Sequence, residues 1–216
     1  RSPLMPDVRP RSPMRPLVLS IGLVAAFSSC VASAPVSRTS SFVRVASREE
    51  MAVVEAALAD PRLVDAWGMN GEPVVIDRTE YDRTEDPIPD NAFYSFSQSK
   101  TLFIPSELPA LLATEGRATL SLSGLRVPHG FVLASSSWFD GLFRRGPESG
   151  WHKFAERYRD SQRILFFSAP VIRAGQAIVA VRRWPAAPCC GDGYAIYLER
   201  APGGWAVVAY GHFWSS

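Results

Sequence analysis

The C-terminal stretch YAIYLERAPGGWAVVAYGHFW, residues 194–214, holds the pattern from which the fold follows. Apolar side chains alternate with other residues over 194–200 and again over 205–214, which is typical of β-strands with one buried face. The connection from Pro202 to Gly204 is too short for a crossover, so the two strands must be antiparallel neighbours. We therefore expect a β-hairpin at this point of the chain.

Two further β-type runs, at 164–168 and 177–184, precede this hairpin. Turn residues separate all four runs, so the segment predicts an antiparallel β-meander of about four C-terminal strands. A short apolar run from Val74 to Ile76 predicts one more buried strand far upstream. The long segments 77–91 and 128–150 are rich in charged residues or in serine and glycine, and both are predicted to be irregular connections.

Helical periodicity precedes the meander in three places: at about 48–60, from Ser106 to Gly116, and at about 148–159. The first of these helices has a capping-box pattern, with Ser47 before it and Glu50 three residues later. Two to three helices and an antiparallel meander together predict an α+β domain with the helices packed on one face of the sheet. We place this single domain at residues 47–216.

Residues 1–29 are predicted to be a leader, with Met14 as the expected start. The apolar run LVLSIGLVAAF, residues 17–27, is too short to span a bilayer and has the size of a signal-peptide core. Arg15 supplies the positive charge in front of it. The small residues that follow, and then Cys30, resemble a bacterial lipoprotein signal, in which a peptidase cuts before a cysteine that becomes lipidated. The alternative is ordinary secretion with cleavage after the small residues 32–34.

The segment from Cys30 to residue 46 is predicted to be the lipidated cysteine and a flexible tether, because residues 31–41 are small and polar. The expected partner is therefore the membrane, reached through the lipid anchor. Val31, and not an aspartate, follows the cysteine. In a Gram-negative host, general lipoprotein sorting then predicts the outer membrane, with the domain facing the periplasm.

The charge of the chain gives no sign of a nucleic-acid partner. The formal net charge is +2, but the leader takes four of the 23 basic residues and one of the 21 acidic residues. The remainder therefore carries 19 basic against 20 acidic groups, so the basic excess belongs to the leader. Hydrophobic residues make up 47% and charged residues 20%, which excludes a largely disordered chain.

No complete catalytic, cofactor or metal motif occurs in the sequence, so we expect no cofactor and no metal. Four dispersed residues, Cys189, Cys190, Asp192 and His212, remain as weak catalytic candidates. The adjacent cysteines leave three alternatives open: a vicinal disulfide, thiols with no partner or with partners elsewhere, or redox or metal chemistry. Adjacent aromatic residues at 138–139 and 213–214 are expected to expose one ring each, which would indicate a binding surface.

The second half of the chain has a set of local features that recurs in other proteins. They are a helix with Trp151, a strand with Ser168, the run Gln176-Ala177-Ile178-Val179, the loop from Cys189 to Tyr194, the turn Gly204-Trp205 and the terminal Trp214-Ser215-Ser216. This pattern resembles a widespread group of uncharacterised secreted bacterial proteins, and the likeness covers most of residues 48–216. The group has no established activity, so the resemblance implies no catalytic residue. Its members space the two loop cysteines apart, whereas here they are adjacent.

These observations favour a non-enzymatic binding or structural domain of the cell envelope, which contacts an unknown protein or small ligand. The alternative is a hydrolase or redox enzyme built from the dispersed cysteine, histidine and aspartate residues. A concave pocket in which a histidine meets a cysteine or a carboxylate within hydrogen-bond reach would favour the enzyme. If these histidine, cysteine and carboxylate groups are instead scattered over the surface, the binding or structural function is favoured.

Overall fold

The computed structural model describes residues 43–66, 72–81, 92–95, 100–145, 147–159, 161, 163–185 and 191–215. The predicted leader, Cys30 and nearly all of the tether lie outside these residues, as do Cys189 and Cys190. Of the predicted connection at 77–91, only residues 77–81 are described. No helix within the described ranges is both long enough and apolar enough to cross a membrane.

The described residues form five α-helices and eleven β-strands. The helices are α1 (Arg48–Ala59), α2 (Pro61–Ala66), α3 (Glu107–Leu112), α4 (Ser136–Leu142) and α5 (Pro147–Arg157). The strands are β1 (Arg44–Val45), β2 (Val74–Ile76), β3 (Ala92–Ser95), β4 (Lys100–Phe103), β5 (Leu120–Ser121), β6 (Val132–Ala134), β7 (Arg163–Phe167), β8 (Val171–Arg173), β9 (Gln176–Pro185), β10 (Asp192–Ala201) and β11 (Gly204–Ser215).

A large mixed sheet of nine described strands contains the predicted meander. Strands β7, β9, β10 and β11 are successive antiparallel neighbours, and β8 folds back on β9. The α+β class and the C-terminal meander are therefore confirmed. Beyond β11 the sheet continues with the hairpin of β3 and β4, and beyond β7 with β2 and β6 in parallel. Strands β1 and β5 form a separate parallel pair.

The tight turn between β10 and β11 depends on two glycines. Ala201 pairs with Gly204 across the turn, and Gly203 and Gly204 have φ angles of 95° and 151°. A side chain disfavours such positive φ values, so glycine is required at this corner. Further along the ladder the register shifts between Tyr197 and Leu198, which marks a β-bulge.

Helix α1 begins with the predicted capping box. The Ser47 hydroxyl accepts a hydrogen bond from the Glu50 backbone N–H at 3.2 Å, and the Glu50 carboxylate accepts one from the Ser47 N–H at 2.7 Å. Arg44 also donates to Glu50 through two hydrogen bonds of 2.7 Å each. These Arg44 bonds, together with those from Ser47, lower the pKa of Glu50 to about 2. The start of α1 is thus tied to β1 and to its own first turn.

Helices cover both faces of the sheet, whereas the sequence predicted helices on one face. Ile178 and Val179 are neighbours in β9, point to opposite faces and are both fully buried. The core consists of separate hydrophobic clusters on the two faces of the sheet. Helices α1 and α2 contribute to the cluster that contains Val179, and α3 contributes to the cluster that contains Ile178. Helices α4 and α5 pack on the α3 side, over β7 and β2. The reason is the unbroken apolar run at 177–181, which requires cover on both faces.

The segment 128–150 is not an irregular connection, as the sequence predicted, because it contains β6, α4 and the start of α5. Trp138 and Phe139 lie on α4, where both half-buried rings pack toward α5: Trp138 stands 5.4 Å from Tyr158, and Phe139 stands 6.4 Å from Phe154. The prediction of one exposed ring assumed a strand, in which neighbours point to opposite faces. On a helix, adjacent side chains lie close enough for both to contact the same partner helix. The side chains of the other pair, 213–214, lie outside the described parts of the structure.

Candidate functional site

A partly buried ion pair joins the end of β9 to the start of β10, where the chain leaves for the segment that carries Cys189 and Cys190. Arg183 and Asp192 are register partners. The Arg183 Nε donates to Asp192 Oδ1 at 2.8 Å, and Nη2 donates to Oδ2. The two side chains are only 15% and 17% exposed. The carboxylate of Asp192 is therefore neutralised by a bidentate guanidinium.

Tyr194 extends this pair along β10. Its hydroxyl donates a long hydrogen bond of 3.5 Å to Asp192 Oδ2, and the Arg183 guanidinium carbon lies 5.8 Å from the centre of its ring. Burial and the negative charge of Asp192 raise the pKa of Tyr194. The phenol is therefore protonated at neutral pH and can donate this hydrogen bond.

His212 lies opposite Tyr194 in β11, and the two rings are 5.0 Å apart. The register shift between Gly193 and Tyr194 sets this pairing. The structure thus brings Asp192 and His212, two of the four sequence candidates, to one surface with Tyr194 between them. No hydrogen bond or ion pair within the described residues joins His212 to Asp192. The other two candidates, Cys189 and Cys190, lie outside the described residues, as does the predicted lipidation site Cys30.

A row of aromatic rings continues from Tyr194 across the sheet on the face that α1 covers elsewhere. Tyr210 of β11 lies 6.2 Å from Tyr194, and Tyr94 of β3 lies 5.7 Å from Tyr210. Phe103 lies on the same face of β4, because it is two residues from Thr101, the register partner of Tyr94. Tyr94 is 44% exposed and Phe103 is 71% exposed. We call the five residues Phe103, Tyr94, Tyr210, Tyr194 and His212 the tyrosine surface.

Of these five residues, sequence reasoning identified only His212 as a candidate. Tyr94 and Phe103 come from β3 and β4, which lie far from β11 in sequence and next to it in the sheet. The runs AFYS and KTLF are only four residues each and carry little periodic signal. Their alternation of exposed and buried side chains becomes visible only in the sheet, where Phe93 faces the core and Tyr94 faces outward.

Two other features of the described residues bear on chemistry: metal ligation and Ser168. No group of three or more histidine, cysteine, aspartate or glutamate side chains within them is placed to hold a metal ion. Ser168, part of the recurring sequence pattern, is buried, donates to the Ala169 carbonyl at 3.1 Å and accepts from the Ala180 N–H at 2.9 Å. Its hydroxyl fastens the end of β7 to β9, so it acts as a structural hydrogen-bond partner.

Comparison with protein-family models, with curated proteins and with solved structures finds no match.

Proposed function

We propose that this chain is an exported, lipid-anchored domain of the bacterial cell envelope that binds a protein partner through the tyrosine surface. The observation that carries this proposal is the exposure of Phe103 and Tyr94 on strands of the central sheet. Phe103 and Tyr94 lie on the same face of two paired strands, and apolar patches exposed on a protein surface mark contact sites. Tyrosine, phenylalanine and arginine are also enriched at the centres of protein interfaces.

The angles between the rings favour a protein over a flat ligand. The planes of Tyr94 and Tyr210 meet at 63°, those of Tyr210 and Tyr194 at 52°, and those of Tyr194 and His212 at 57°. Rings inclined in this way expose edges and faces in turn, and they do not form one plane on which successive sugar rings or bases could stack. A protein can place its own side chains between them.

The electrostatics of the site support binding over catalysis. Both oxygens of Asp192 accept hydrogen bonds from the Arg183 guanidinium, so this carboxylate is engaged in an ion pair. Tyr194 keeps its proton, because burial and Asp192 raise its pKa. In a protein interface these same groups supply hydrogen bonds in a fixed geometry beside an apolar patch.

Photocrosslinking in the bacterial host tests the contact surface. A benzoylphenylalanine at position 103 keeps an aromatic ring in place, and we expect one discrete adduct with a second protein. The matched control is the same residue at position 153, because Lys153 is exposed on α5 on the other side of the sheet. Addition of Tyr94→Ser to the position-103 variant should weaken the adduct. No adduct at 103, or equal adducts at both positions, would overturn the proposal.

Lipid labelling tests the anchor separately. The leader pattern around Cys30 supports lipidation, so labelled palmitate should be incorporated into the wild-type protein and be absent from Cys30→Ala. The variant should also be released from the membrane fraction. A soluble wild-type protein whose N-terminus lies just after Ala34 would show ordinary secretion in its place.

A further inference from the structure

A groove of about 910 Å³ follows the exposed flank of α1, on the same face of the sheet as the tyrosine surface but at the opposite end of the β10–β11 hairpin. One wall is α1, and the other is formed by the turn at 201–206 together with Gly124 and Arg126. Its volume lies in the range of small-molecule sites, roughly 300–1,000 Å³. The proposed protein-binding function does not use this groove.

Apolar side chains form part of the lining of the groove, beside the charged Arg48, Glu55 and Arg126. Met51, Ala52 and Ala56 face it from successive turns of α1, and Trp205 faces it from β11. The alanines leave depth that a larger side chain would fill. The stretch from Arg48 to Ala59 spans about 16 Å at ~1.5 Å per residue, a length that an extended acyl chain of medium size can follow.

The charged residues of α1 differ in whether they form ion pairs. Glu55 accepts hydrogen bonds from the backbone N–H, Nε and Nη2 of Arg126 at 3.0, 3.2 and 3.0 Å. Glu49 is paired with Arg200. Arg48 also lines the groove, is exposed, and makes no ion pair within the described part of the chain. Both carboxylates are therefore paired with other arginines. Arg48 acts on Glu55 only through its charge and has no hydrogen-bonded counter-ion among the described residues.

A buried hydrogen-bond donor without an acceptor lies at the same end of the hairpin, near the turn between β10 and β11. Trp205 is 9% exposed, and its Nε1 has no hydrogen-bond partner in the described structure. Arg200 connects it to the start of α1, because this guanidinium lies 4.4 Å from the Trp205 ring and pairs with Glu49. A buried donor without an acceptor is rare in native proteins and calls for an explanation.

We infer that this groove binds a single-chain anionic amphiphile of the fatty-acid type. Its carboxylate pairs with Arg48 at the start of α1, near Trp205. Its chain lies over Ala52 and Ala56. The apolar lining supplies affinity in proportion to the buried chain, and the unpaired guanidinium selects for a negative head group.

Laurate titration of the full chain, followed through the ¹³C-methyl resonance of Met51, tests this inference. The resonance is assigned with Met51→Leu, and we expect a saturable shift in the wild type. Arg48→Glu should weaken laurate binding at least tenfold, while Arg117→Glu, a charge reversal at an exposed site outside the groove, should leave it unchanged. Ala52→Phe should abolish the shift, and Ala155→Phe, an exposed site on α5, should not.

One neutral ligand and one positively charged ligand complete the test. Dodecanol and dodecyltrimethylammonium carry the same chain without the negative charge, so both should bind more weakly than laurate. Equal binding of the three would show that the charge plays no part and would overturn the inference. The same conclusion follows if Arg48→Glu binds laurate normally or if no saturable shift occurs. Because Arg48 is exposed, its reversal tests the site even if Ala52→Phe fails to fold.

Discussion

The β10–β11 hairpin has two ends that contain the same kinds of residue in different surroundings. At the turn end, Arg200 lies over the ring of Trp205 and pairs with Glu49. At the other end, Arg183 lies near the ring of Tyr194 and pairs with Asp192. Each end thus joins a guanidinium, an aromatic ring and a carboxylate.

Burial is distributed in opposite ways at the two ends. At the turn end, α1 covers the sheet and the Trp205 ring is buried, while the side chains of Arg200 and Glu49 are 52% and 47% exposed. At the other end, the Arg183–Asp192 pair is the enclosed element, and the rings that continue from Tyr194 lead to exposed ones. Apolar packing therefore stabilises the first end, and a bidentate ion pair orders the second and leaves its rings available for contact.

The largest expected effect separates a buried apolar side chain from an exposed one. Leu58, on the inner face of α1, is fully buried, whereas Phe103 is mostly exposed. We expect Leu58→Ala to lower the free energy of unfolding by about 2–5 kcal/mol, since it leaves a cavity. Phe103→Ala removes a larger side chain but should cost no more than about 0.5 kcal/mol. Urea denaturation of both variants measures this, and similar losses would contradict the assignment of Phe103 to a contact surface.

The second prediction compares the two ion pairs. Asp192→Asn leaves the partly buried Arg183 without its counter-charge and should cost about 1–3 kcal/mol. Glu49→Gln breaks an exposed pair and should cost less than about 1 kcal/mol. Urea denaturation in low and in high salt distinguishes the two, because salt screens only the exposed pair well. A larger loss for Glu49→Gln would reverse the comparison.

A smaller effect concerns the helix that covers the turn end. Arg44 and the Ser47 hydrogen bonds hold the pKa of Glu50 at about 2, below its ordinary value of 4.5. Because the folded-state pKa is the lower one, Glu50 stabilises the fold above about pH 4.5, and this contribution is lost as the pH falls toward 2. The stability difference between wild type and Glu50→Gln should therefore shrink over that interval.

Ser47→Ala is the control for this pH effect. It removes the cap acceptor and should cost about 1 kcal/mol, but it removes no carboxylate. Its deficit should consequently change less between pH 5 and pH 2 than that of Glu50→Gln. If the Glu50→Gln deficit were independent of pH in thermal or urea unfolding, the Arg44–Glu50 contact would not form in solution.

The meander and the capping box could be predicted from the sequence because both are local. A short turn at 202–204 forces its strands together, and Ser47 lies three residues from its partner Glu50. The two-sided cover of the sheet had a local signal as well, in the unbroken apolar run 177–181, but the prediction of helices on one face did not use it. The place of β3 and β4 beside β11 had no local signal, because it depends on contacts across about 100 residues of sequence.

The candidate site was predictable only in part for the same reason. Asp192 and His212 were identified by residue type and by their proximity to the cysteines in the sequence. Their relation through Tyr194 depends on a register shift, which no periodicity reveals. Tyr94 belongs to the tyrosine surface only because β3 lies beside β11 in the sheet. The sequence thus predicted two chemical groups, and the sheet determines that they border a row of rings.

The smallest expected effect concerns Cys189 and Cys190, between the two strands that the Arg183–Asp192 pair holds together. Export would favour their oxidation, but adjacent Cα atoms lie only ~3.8 Å apart, below the ~4.4–6.8 Å of ordinary disulfides. Such a bond closes a ring with no intervening residues, so it restricts the unfolded chain very little. We therefore expect Cys189→Ser/Cys190→Ser to lose less than about 1 kcal/mol in thermal unfolding under oxidising conditions.

Two other outcomes would revise the picture of this end of the hairpin. A fall of many degrees in the unfolding midpoint would mean that the cysteines bridge distant segments, bind a metal ion or pack in a core, since a vicinal bond cannot supply that much stability. An unchanged midpoint together with loss of the crosslink at position 103 would have a different meaning. It would extend the binding surface from the tyrosines to the cysteine segment, because β9 and β10 would still be paired while the partner was no longer held.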